Sequence, residues 1–406
     1  MSLFSVANNI ALEKRANFPL GSLTGPTHWL STMFGGHSTR AGIRVSEENA
    51  ISLSTVFNAI TLLSETVAQL PLSPYIKKDG QRRQYTEHYS YPLVHFSPNQ
   101  FMRSYTWRKL MVNHVCRWGN AYAPIERSNY GRPVALYPVH PSRVSIKIDE
   151  DHNLWYFVDG GKMVFSSTDM FHVMGFTDDG LVGRSNIDIA RESIAQSMAV
   201  ERFGSDFFGK GITISGYIKH PRRLKDEKSI KRLKESFVQA HGGPNNQFGV
   251  GLLEDGADWI KNEVDPEKAQ ALDVRKFNVE EIARWLNVPV PLLKSLERAT
   301  FNNVEQLDIQ FAKYTIVPWT VNFEQEYAEK LLMENEKDGS VYFKHNMNGL
   351  LRGDMSSRGQ FYERMQRTGA FSPNDIRELE DMNPYEGGDV HVINPGAQTI
   401  EQLQNN

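Results

Sequence analysis

The sequence predicts an α+β fold, in which a region of short strands is followed by several long helices. From about residue 120 to residue 174, apolar and polar residues alternate between turn signals, which is typical of strands. From residue 183 onwards, apolar residues recur at helical spacing in segments that begin with capping residues and end at glycine or proline. The chain of 406 residues is long enough for two or three such units.

The overall composition predicts a folded protein without a membrane segment. Hydrophobic residues make up 40% and charged residues 23%, which is ordinary for globular chains. No stretch approaches the roughly 18 consecutive apolar residues of a membrane span. The N-terminal segment also lacks the basic region, apolar run and cleavage site of a signal peptide. We therefore expect a protein that remains in the cytoplasm where it is made.

The first part of the chain is predicted to combine an extended arm with two helices. Residues 1–45 mix turn-forming residues with isolated apolar ones, which indicates an arm without regular structure. A first helix is predicted to begin at Ser54 and to end before Pro71, because apolar residues recur at helical spacing between them. A second helix is predicted from Ser104 to Trp118, directly ahead of the strands.

Two long helices are predicted to enclose a smaller unit. The first begins at Gly183, with Ser185 and Asp188 as the N-cap and third residue of a capping box, and ends at a pair of glycines. The second begins at Pro266, since proline suits the first helical position, and ends near Leu286. Between them the sequence predicts short strands around a helix.

That intervening helix is strongly basic. A solvated face is the ordinary interpretation of such a charge run, and a surface that docks a protein or contacts DNA phosphates is the alternative. The formal net charge of -3 argues against tight binding to DNA, because proteins that neutralise many phosphates usually carry a basic excess. The basic residues are Arg222, Arg223, Lys225, Lys228, Lys231, Arg232 and Lys234.

The second long helix is followed by a segment that must be a loop, because Pro289 and Pro291 forbid a continuous helix. A third long helix is predicted from Asn302 to about Met333. Pro318 is predicted to interrupt and kink this helix, since its ring would clash with the carbonyl group four residues earlier. A strand and two short helices are predicted to follow.

Motifs for catalysis and metal binding are absent from the sequence. It contains no GxxxxGK[ST] phosphate loop, no GxGxxG fingerprint and no GxSxG nucleophile turn. The single cysteine, Cys116, excludes an internal disulfide framework and a multi-thiolate metal site. No two histidines lie three or four residues apart. We therefore expect no cofactor, no metal and no enzymatic activity.

Two groups of acidic residues leave a hydrolase acting on nucleic acid as an alternative. Residues 149–151 and the pair Asp178 and Asp179 could hold a divalent cation between carboxylates. Both groups fall between strands or at a strand end, where acidic turns are common. A role in turns is therefore the favoured interpretation.

Seven segments, in order along the chain, closely resemble the portal protein family of tailed bacteriophages. The ordered set covers most of the chain from about residue 50 and is far more specific than any single motif. The segments are residues 118–122 (WGNAY), 183–185 (GRS), 275–293 (RKFNVEEIARWLNVPVPLL), 299–306 (ATFNNVEQ), 314–319 (YTIVPW), 348–354 (NGLLRGD) and 383–388 (NPYEGG).

The resemblance implies a phage portal fold that assembles as a ring. Such a fold has an α/β wing, a two-helix stem, a small α/β clip, a tunnel loop with a long kinked helix behind it, and here a short helical crown. On this chain the resemblance implies an N-terminal arm at residues 1–45, the first part of the wing at 46–182, stem helices at 183–209 and 264–286, the clip at 210–263, the tunnel loop at 287–303, the kinked wing helix and wing strand at 304–352, and the crown and C-terminal tail at 353–406.

The resemblance also implies a function in the virion. The protein would form a dodecameric channel at one capsid vertex, through which double-stranded DNA is packaged and ejected. It would dock the large terminase subunit and later the head-completion adaptor protein, and would nucleate procapsid assembly with the major capsid and scaffolding proteins. It would be made in the host cytoplasm and would not contact a membrane.

Site residues follow from the same resemblance. The basic clip residues would dock partners, and Pro318 would kink the helix behind the tunnel loop. A pore has to pass DNA without gripping it, which suits a modest negative net charge. The alternative is a sequence-nonspecific DNA-binding protein that uses the basic helix at residues 219–234. The tunnel-loop residues that would face DNA are Lys294, Glu297, Arg298, Thr300 and Asn302.

Overall fold

The computed structural model describes residues 37–78, 81–210, 216–219, 228, 231, 235, 258–261, 268–293, 301–347, 355–380 and 382–391. In these ranges strands and helices surround one large hydrophobic core, and a smaller core lies against a separate sheet. This mixture agrees with the predicted α+β class. Across the same ranges, no helix is both long and apolar enough to cross a membrane.

Three helices of the N-terminal part frame the large core, namely α1 (Ser54–Gln69), α2 (Tyr91–His95) and α3 (Ser104–Trp118). The bounds of α1 and α3 are those that the sequence predicts. Arg108 of α3 donates from Nη2 to the carbonyl oxygen of Ala68 at 2.8 Å, which satisfies a carbonyl group left free at the end of α1. As its spacing predicts, α1 buries Val56, Ile60, Leu63 and Val67.

All described strands pair antiparallel. They are β1 (His37–Ser38), β2 (Arg44–Val45), β3 (Leu72–Lys78), β4 (Gln81–Gln84), β5 (Asn120–Arg127), β6 (Pro133–Leu136), β7 (Val144–Ile148), β8 (Leu154–Val158), β9 (Met163–Ser166), β10 (Met170–Met174), β11 (Gly216–Lys219), β12 (Asp258–Lys261) and β13 (Val341–His345).

The sheet orders bring distant parts of the chain together. The three-stranded sheets have the orders β13-β3-β4, β10-β5-β6 and β7-β8-β9, and β1-β2 and β11-β12 are two-stranded. In the first sheet Val341 of β13 lies opposite Ile76 of β3. The strand near residue 341 therefore packs with strands from the beginning of the chain.

The first predicted long helix is divided in the structure. A single turn, α4 (Asn186–Ile189), precedes α5 (Arg191–Lys210), and the break lies at Ala190. The N–H of Ala190 bonds to the carbonyl groups of both Asn186 and Asp188, which tightens the last turn of α4 and bends the chain. The prediction of one continuous helix from Gly183 is therefore wrong, because the first turn, α4, is separate from α5.

The second long helix, α6 (Lys268–Trp285), packs against α5. It ends where the sequence predicts, and its predicted start at Pro266 lies outside the described residues. The core on this side includes Ile282, Ala283 and Leu286, all buried. At roughly 1.5–3 kcal/mol for each large apolar side chain that is fully buried, these contacts hold the end of α6 firmly to α1.

The third long helix is interrupted ahead of Pro318, as predicted. It consists of α7 (Phe301–Phe311), a π-helical turn (Ala312–Ile316) and α8 (Val317–Leu331). The wider turn removes the clash that the ring of Pro318 would cause in a regular α-helix. The interruption takes the form of a change in helical period, and the kink at Pro318 stays a prediction.

Two short helices form the last described unit, α9 (Met355–Arg367) and α10 (Pro373–Leu379). The capping box of α10 joins Ser372 and Asp375. Asn374 donates from Nδ2 to the carbonyl of Tyr385 at 3.0 Å, so the segment 383–388 is held against α10.

Candidate functional site: the junction of the long helices with the sheet

Two glycines allow the strand region and the start of the first long helix to touch. Gly119 ends α3 with φ of 77°, a left-handed conformation that favours glycine. A Cβ atom on Gly119 would lie 2.2 Å from the carbonyl oxygen of Arg184. One on Gly183 would lie 2.0 Å from the carbonyl oxygen of Gly119. The segments 118–122 and 183–185 therefore meet each other, with no room for a side chain at either glycine.

Asn120 joins these two segments by hydrogen bonds. Its Oδ1 accepts from the N–H of Gly183 at 2.7 Å, and its Nδ2 donates to the carbonyl of the same glycine at 2.7 Å. Ser185 adds a further link, because its hydroxyl donates to the carbonyl of Arg117 at 2.6 Å while accepting from the N–H of Asp188. The beginning of the long helix is thus bonded directly to the end of α3.

His172 of β10 extends this network into the core. Its Nε2 lies 3.1 Å from Oδ1 of Asn120, and its Nδ1 lies 3.1 Å from the hydroxyl of Tyr156. Burial lowers the pKa of His172 to about 3, so the ring is neutral at physiological pH. The backbone N–H of His172 donates to Oε1 of Glu326 at 2.8 Å, which connects the sheet to α8. The network therefore reaches from the first long helix to the third.

Asn287 ends α6 in a Schellman motif. It has φ of 52°, its N–H donates to the carbonyl of Arg284, and the N–H of Val288 donates to the carbonyl of Ala283. Asparagine tolerates the left-handed conformation that this motif needs. The end of α6 is therefore set by backbone geometry as well as by the prolines that follow.

The side chain of Asn287 also contacts the π-helical turn. Its Nδ2 donates to the carbonyl of Tyr314 at 3.2 Å, and the backbone carbonyl of Asn287 accepts from the hydroxyl of Thr315 at 2.7 Å. The Tyr314 carbonyl is the group that residue 318 would bond to in an α-helix, and proline has no N–H to donate. Asn287 therefore supplies the donor that Pro318 lacks, and links the second long helix to the third.

The residues after Asn287 are anchored in the large core. Val288 and Leu293 are both buried; Val288 precedes a short turn of 3-10 helix (Val290–Leu293), and Leu293 ends it. Beyond Leu293 the chain lies outside the described residues as far as residue 300. Of the predicted tunnel-loop residues, Lys294, Glu297, Arg298 and Thr300 fall in that interval, and for Asn302 only the backbone is described, on α7.

The basic residues predicted for the clip are mostly outside the described part of the chain. This holds for Arg222, Arg223, Lys225, Arg232 and Lys234. Lys228 and Lys231 are described, and both are helical and exposed. Lys231 lies 3.9 Å from the carboxylate of Glu235 one turn later, so part of this basic charge is balanced by a neighbouring acid.

The acidic residues of the hydrolase alternative take part in local turns. Oδ1 of Asp179 accepts from the N–H groups of Leu181 and Val182, which lowers the pKa of its carboxyl. Asp149 accepts from Nε1 of Trp155 at 2.9 Å. Among the described residues, no group of three or more histidine, cysteine or acidic side chains is arranged to hold a metal ion.

The sequence did not indicate the roles of His172, Glu326 and Asn287 in this junction. A helix-terminal asparagine before a proline is a known C-terminal signal, so Asn287 could have been identified as a cap. No local pattern could have paired His172 with Glu326, because these residues are 154 positions apart.

Comparison with known proteins places this architecture in a family. The sequence model described as "Phage portal protein" matches residues 54–381. The chain is 30% identical to the portal protein of Enterobacteria phage HK97 over 392 residues, which cover 95% of this chain and 90% of the relative.

Two solved structures share the fold. An HK97 family phage portal protein from Corynebacterium diphtheriae superposes with a TM-score of 0.58 at 15% identity, over 76% of this chain and 98% of that one. A chain in the neck of a native gene transfer agent particle, computed with C12 symmetry, superposes with a TM-score of 0.57 at 19% identity, over 94% of this chain and 100% of that one.

Proposed function

Because this chain belongs to the phage portal protein family, we propose that it is one subunit of a ring through which double-stranded DNA enters and leaves a capsid. The observation that carries the proposal is the junction, where the segment that starts the first long helix and α8 are both bonded to the strand region, and the end of α6 is bonded to the π-helical turn. A channel subunit needs such a fastening, because a force on the helices around the pore must be carried by the rest of the subunit. The protein acts in this role as a structural component of the virion.

The parts of the chain have separate tasks in this proposal. The strands β3 to β10 and β13 form the wing together with α1 to α3, and α5 and α6 form the stem. Residues 210–263 form the clip, which docks the large terminase subunit during packaging and the head-completion adaptor afterwards. The segment 287–303 forms the tunnel loop, anchored at Val288 and Leu293. The C-terminal helices form a short crown.

A ring of twelve copies is the assembly that we propose. The C12 symmetry applied to the gene transfer agent neck is the support for this number. In the same proposal the ring nucleates procapsid assembly together with the major capsid and scaffolding proteins. Electron microscopy of the purified full-length chain tests the assembly. Rings with a central hole are expected, and a compact monomer at high protein concentration would contradict the proposal.

The electrostatics of the chain fit a conduit for DNA. Its net charge of -3 provides no general attraction for phosphates, so a translocating duplex is not held by many strong contacts. Sparse cations on the tunnel loop, Lys294 and Arg298, can guide the DNA backbone weakly while the rest of the pore lets it pass.

Replacing Lys294 and Arg298 together with alanine tests this guidance. We expect the variant to form rings like the unmodified chain but to package less DNA, or to retain it less well, because two weak phosphate contacts per subunit are lost. The measurement is the length of DNA protected in particles assembled with each protein. Replacing Arg83 and Glu87 with alanine is the control, since it removes an exposed ion pair that belongs neither to the loop nor to the clip. Packaging unchanged from the unmodified protein would rule out a role for the two cations.

A further inference from the structure

Four large apolar side chains lie exposed along the third long helix. Ile309 is 50% exposed, Tyr314 61%, Val317 38% and Val321 37%. We call these four residues the apolar stripe. Single exposed apolar residues are common on soluble proteins, but a row of them on one helix indicates a surface that another molecule covers.

The π-helical turn is what aligns the stripe. Val317 follows Ile309 by eight positions, which on an uninterrupted α-helix would place the two side chains about 80° apart. The π turn accommodates one extra residue, so the same separation acts as seven positions and brings them within about 20°. The same extra residue keeps Phe311, Ile316 and Phe323 together on the buried face. Both faces of the helix therefore depend on this turn.

The stripe adjoins the end of α6, because Asn287 bonds to the carbonyl of Tyr314. If a large side chain presents about 150–250 Å², the four residues of the stripe expose on the order of 350 Å² of apolar area. Stable protein interfaces bury roughly 800 Å² on each partner, a little over half of it apolar, so the stripe can supply most of the apolar part of one.

The chemistry of the stripe fits a protein surface better than a nucleic acid. Lys313 lies four residues after Ile309 and four before Val317, within the same row, and its Nζ lies 5.2 Å from the ring centre of Tyr314. A phosphate backbone would need several cations, whereas an apolar row is stabilised by removal from water. We therefore expect the stripe to contact an apolar surface of another protein subunit.

We infer that the apolar stripe docks against a second copy of this chain. The inference rests on the proposed ring, in which each subunit presents one surface to the copy on one side and a different surface to the copy on the other. A single subunit then exposes an apolar face that the neighbouring subunit covers. The π turn acquires a role from this arrangement, because it keeps the covered face continuous across the interruption at Pro318.

Thiol labelling of Val317→Cys tests this contact. The chain has one native cysteine, Cys116, which is fully buried and whose pKa is raised to about 12 by that burial, so it does not compete for the reagent. Val134→Cys is the matched control, because Val134 is 51% exposed on β6, in a different part of the molecule. The rate of reaction with a maleimide is measured on the ring fraction and on the monomer fraction of each variant.

We expect the thiol introduced at position 317 to react roughly tenfold or more slowly in the ring than in the monomer, since a thiol shielded from water forms less thiolate. The thiol at position 134 is expected to react equally in both. Equal rates at position 317, in a variant that still forms rings, would overturn this inference and leave the proposed function standing. Equal rates are also the result expected if the stripe faces the open channel and not a neighbouring subunit. If the unmodified chain forms no rings, the proposed function fails and the inference fails with it.

A second variant changes the contact itself. Val321→Glu places a charge within the stripe at an exposed position, where a monomer tolerates it. We expect the variant to shift from rings towards monomers in mass photometry, while the melting temperature of the monomer stays that of the unmodified monomer. Rings as stable as those of the unmodified chain would count against the inference.

Discussion

Replacing Gly119 with alanine is expected to lower the free energy of unfolding by about 2–5 kcal/mol, which is much of the stability of a typical domain. Two effects combine at this position. The residue has φ of 77°, which costs an alanine about 1–2 kcal/mol, and the added Cβ would lie 2.2 Å from the carbonyl oxygen of Arg184. The backbone of the junction has to move apart to accept it.

Gly180→Ala is the control that separates these two effects. Gly180 has φ of 75°, and a Cβ atom there would meet no atom within 4 Å. We expect it to lose only about 1–2 kcal/mol, the cost of the left-handed conformation. Urea denaturation of both variants gives the comparison. Equal losses would show that the close approach of Gly119 to Arg184 is not what constrains the junction.

Gly119→Ala is also expected to prevent ring formation, if the proposed function is right. The start of the first long helix would no longer be held against α3, so stem and wing would lose their fixed relation. Size-exclusion chromatography of the soluble fraction measures this. Gly180→Ala should form rings as the unmodified chain does. That result would show that a modest loss of stability does not by itself prevent ring formation.

Replacing Asn287 with alanine is expected to lower the free energy of unfolding by about 2 kcal/mol and to loosen the π-helical turn. The alanine has φ of about 52° imposed on it, and the carbonyl of Tyr314 loses the donor that Pro318 cannot supply. Hydrogen exchange at the amides of residues 312–316 measures the second effect. We expect faster exchange there, with little change in α1 and α3.

Asn287→Gly separates the backbone effect from the side-chain effect. Glycine adopts the left-handed conformation freely, so this variant keeps the end of α6 and loses only the bond to Tyr314. We expect a loss of stability of about 1 kcal/mol, together with the same faster exchange in the π turn. If exchange in the π turn stays slow in both variants, Asn287 does not hold that turn.

The order of the long elements could be predicted because each depends on residues that are close in sequence. The bounds of α1 and α3 follow from helical spacing and from the prolines and glycines at their ends. The N-cap Ser185 is confirmed by a bond that its hydroxyl oxygen accepts from the N–H of Asp188, three positions later. The interruption at Pro318 was equally predictable, since the missing N–H is a property of a single residue.

The form of that interruption could not be predicted. A proline in a helix can bend it, end it or widen one turn, and the neighbours of the helix select among these outcomes. Here the buried face has to keep Phe311, Ile316 and Phe323 in line, and Asn287 is placed to bond the free carbonyl. The break at Ala190 could not be predicted for the same reason, because the sequence does not show which residues pack around a helix.

The sequence by itself determined the order of helices and strands, the family and therefore the proposed function, because residue types at close spacing carry that information. The tertiary structure alone decided how the parts are fastened together. Asn287 and Tyr314 are 27 positions apart, Asn120 and Gly183 are 63 apart, and His172 and Glu326 are 154 apart. Spacing predicts contacts only within a helix or between adjacent strands. A bond between distant residues depends on how the whole chain packs, and so becomes visible only when the chain is folded.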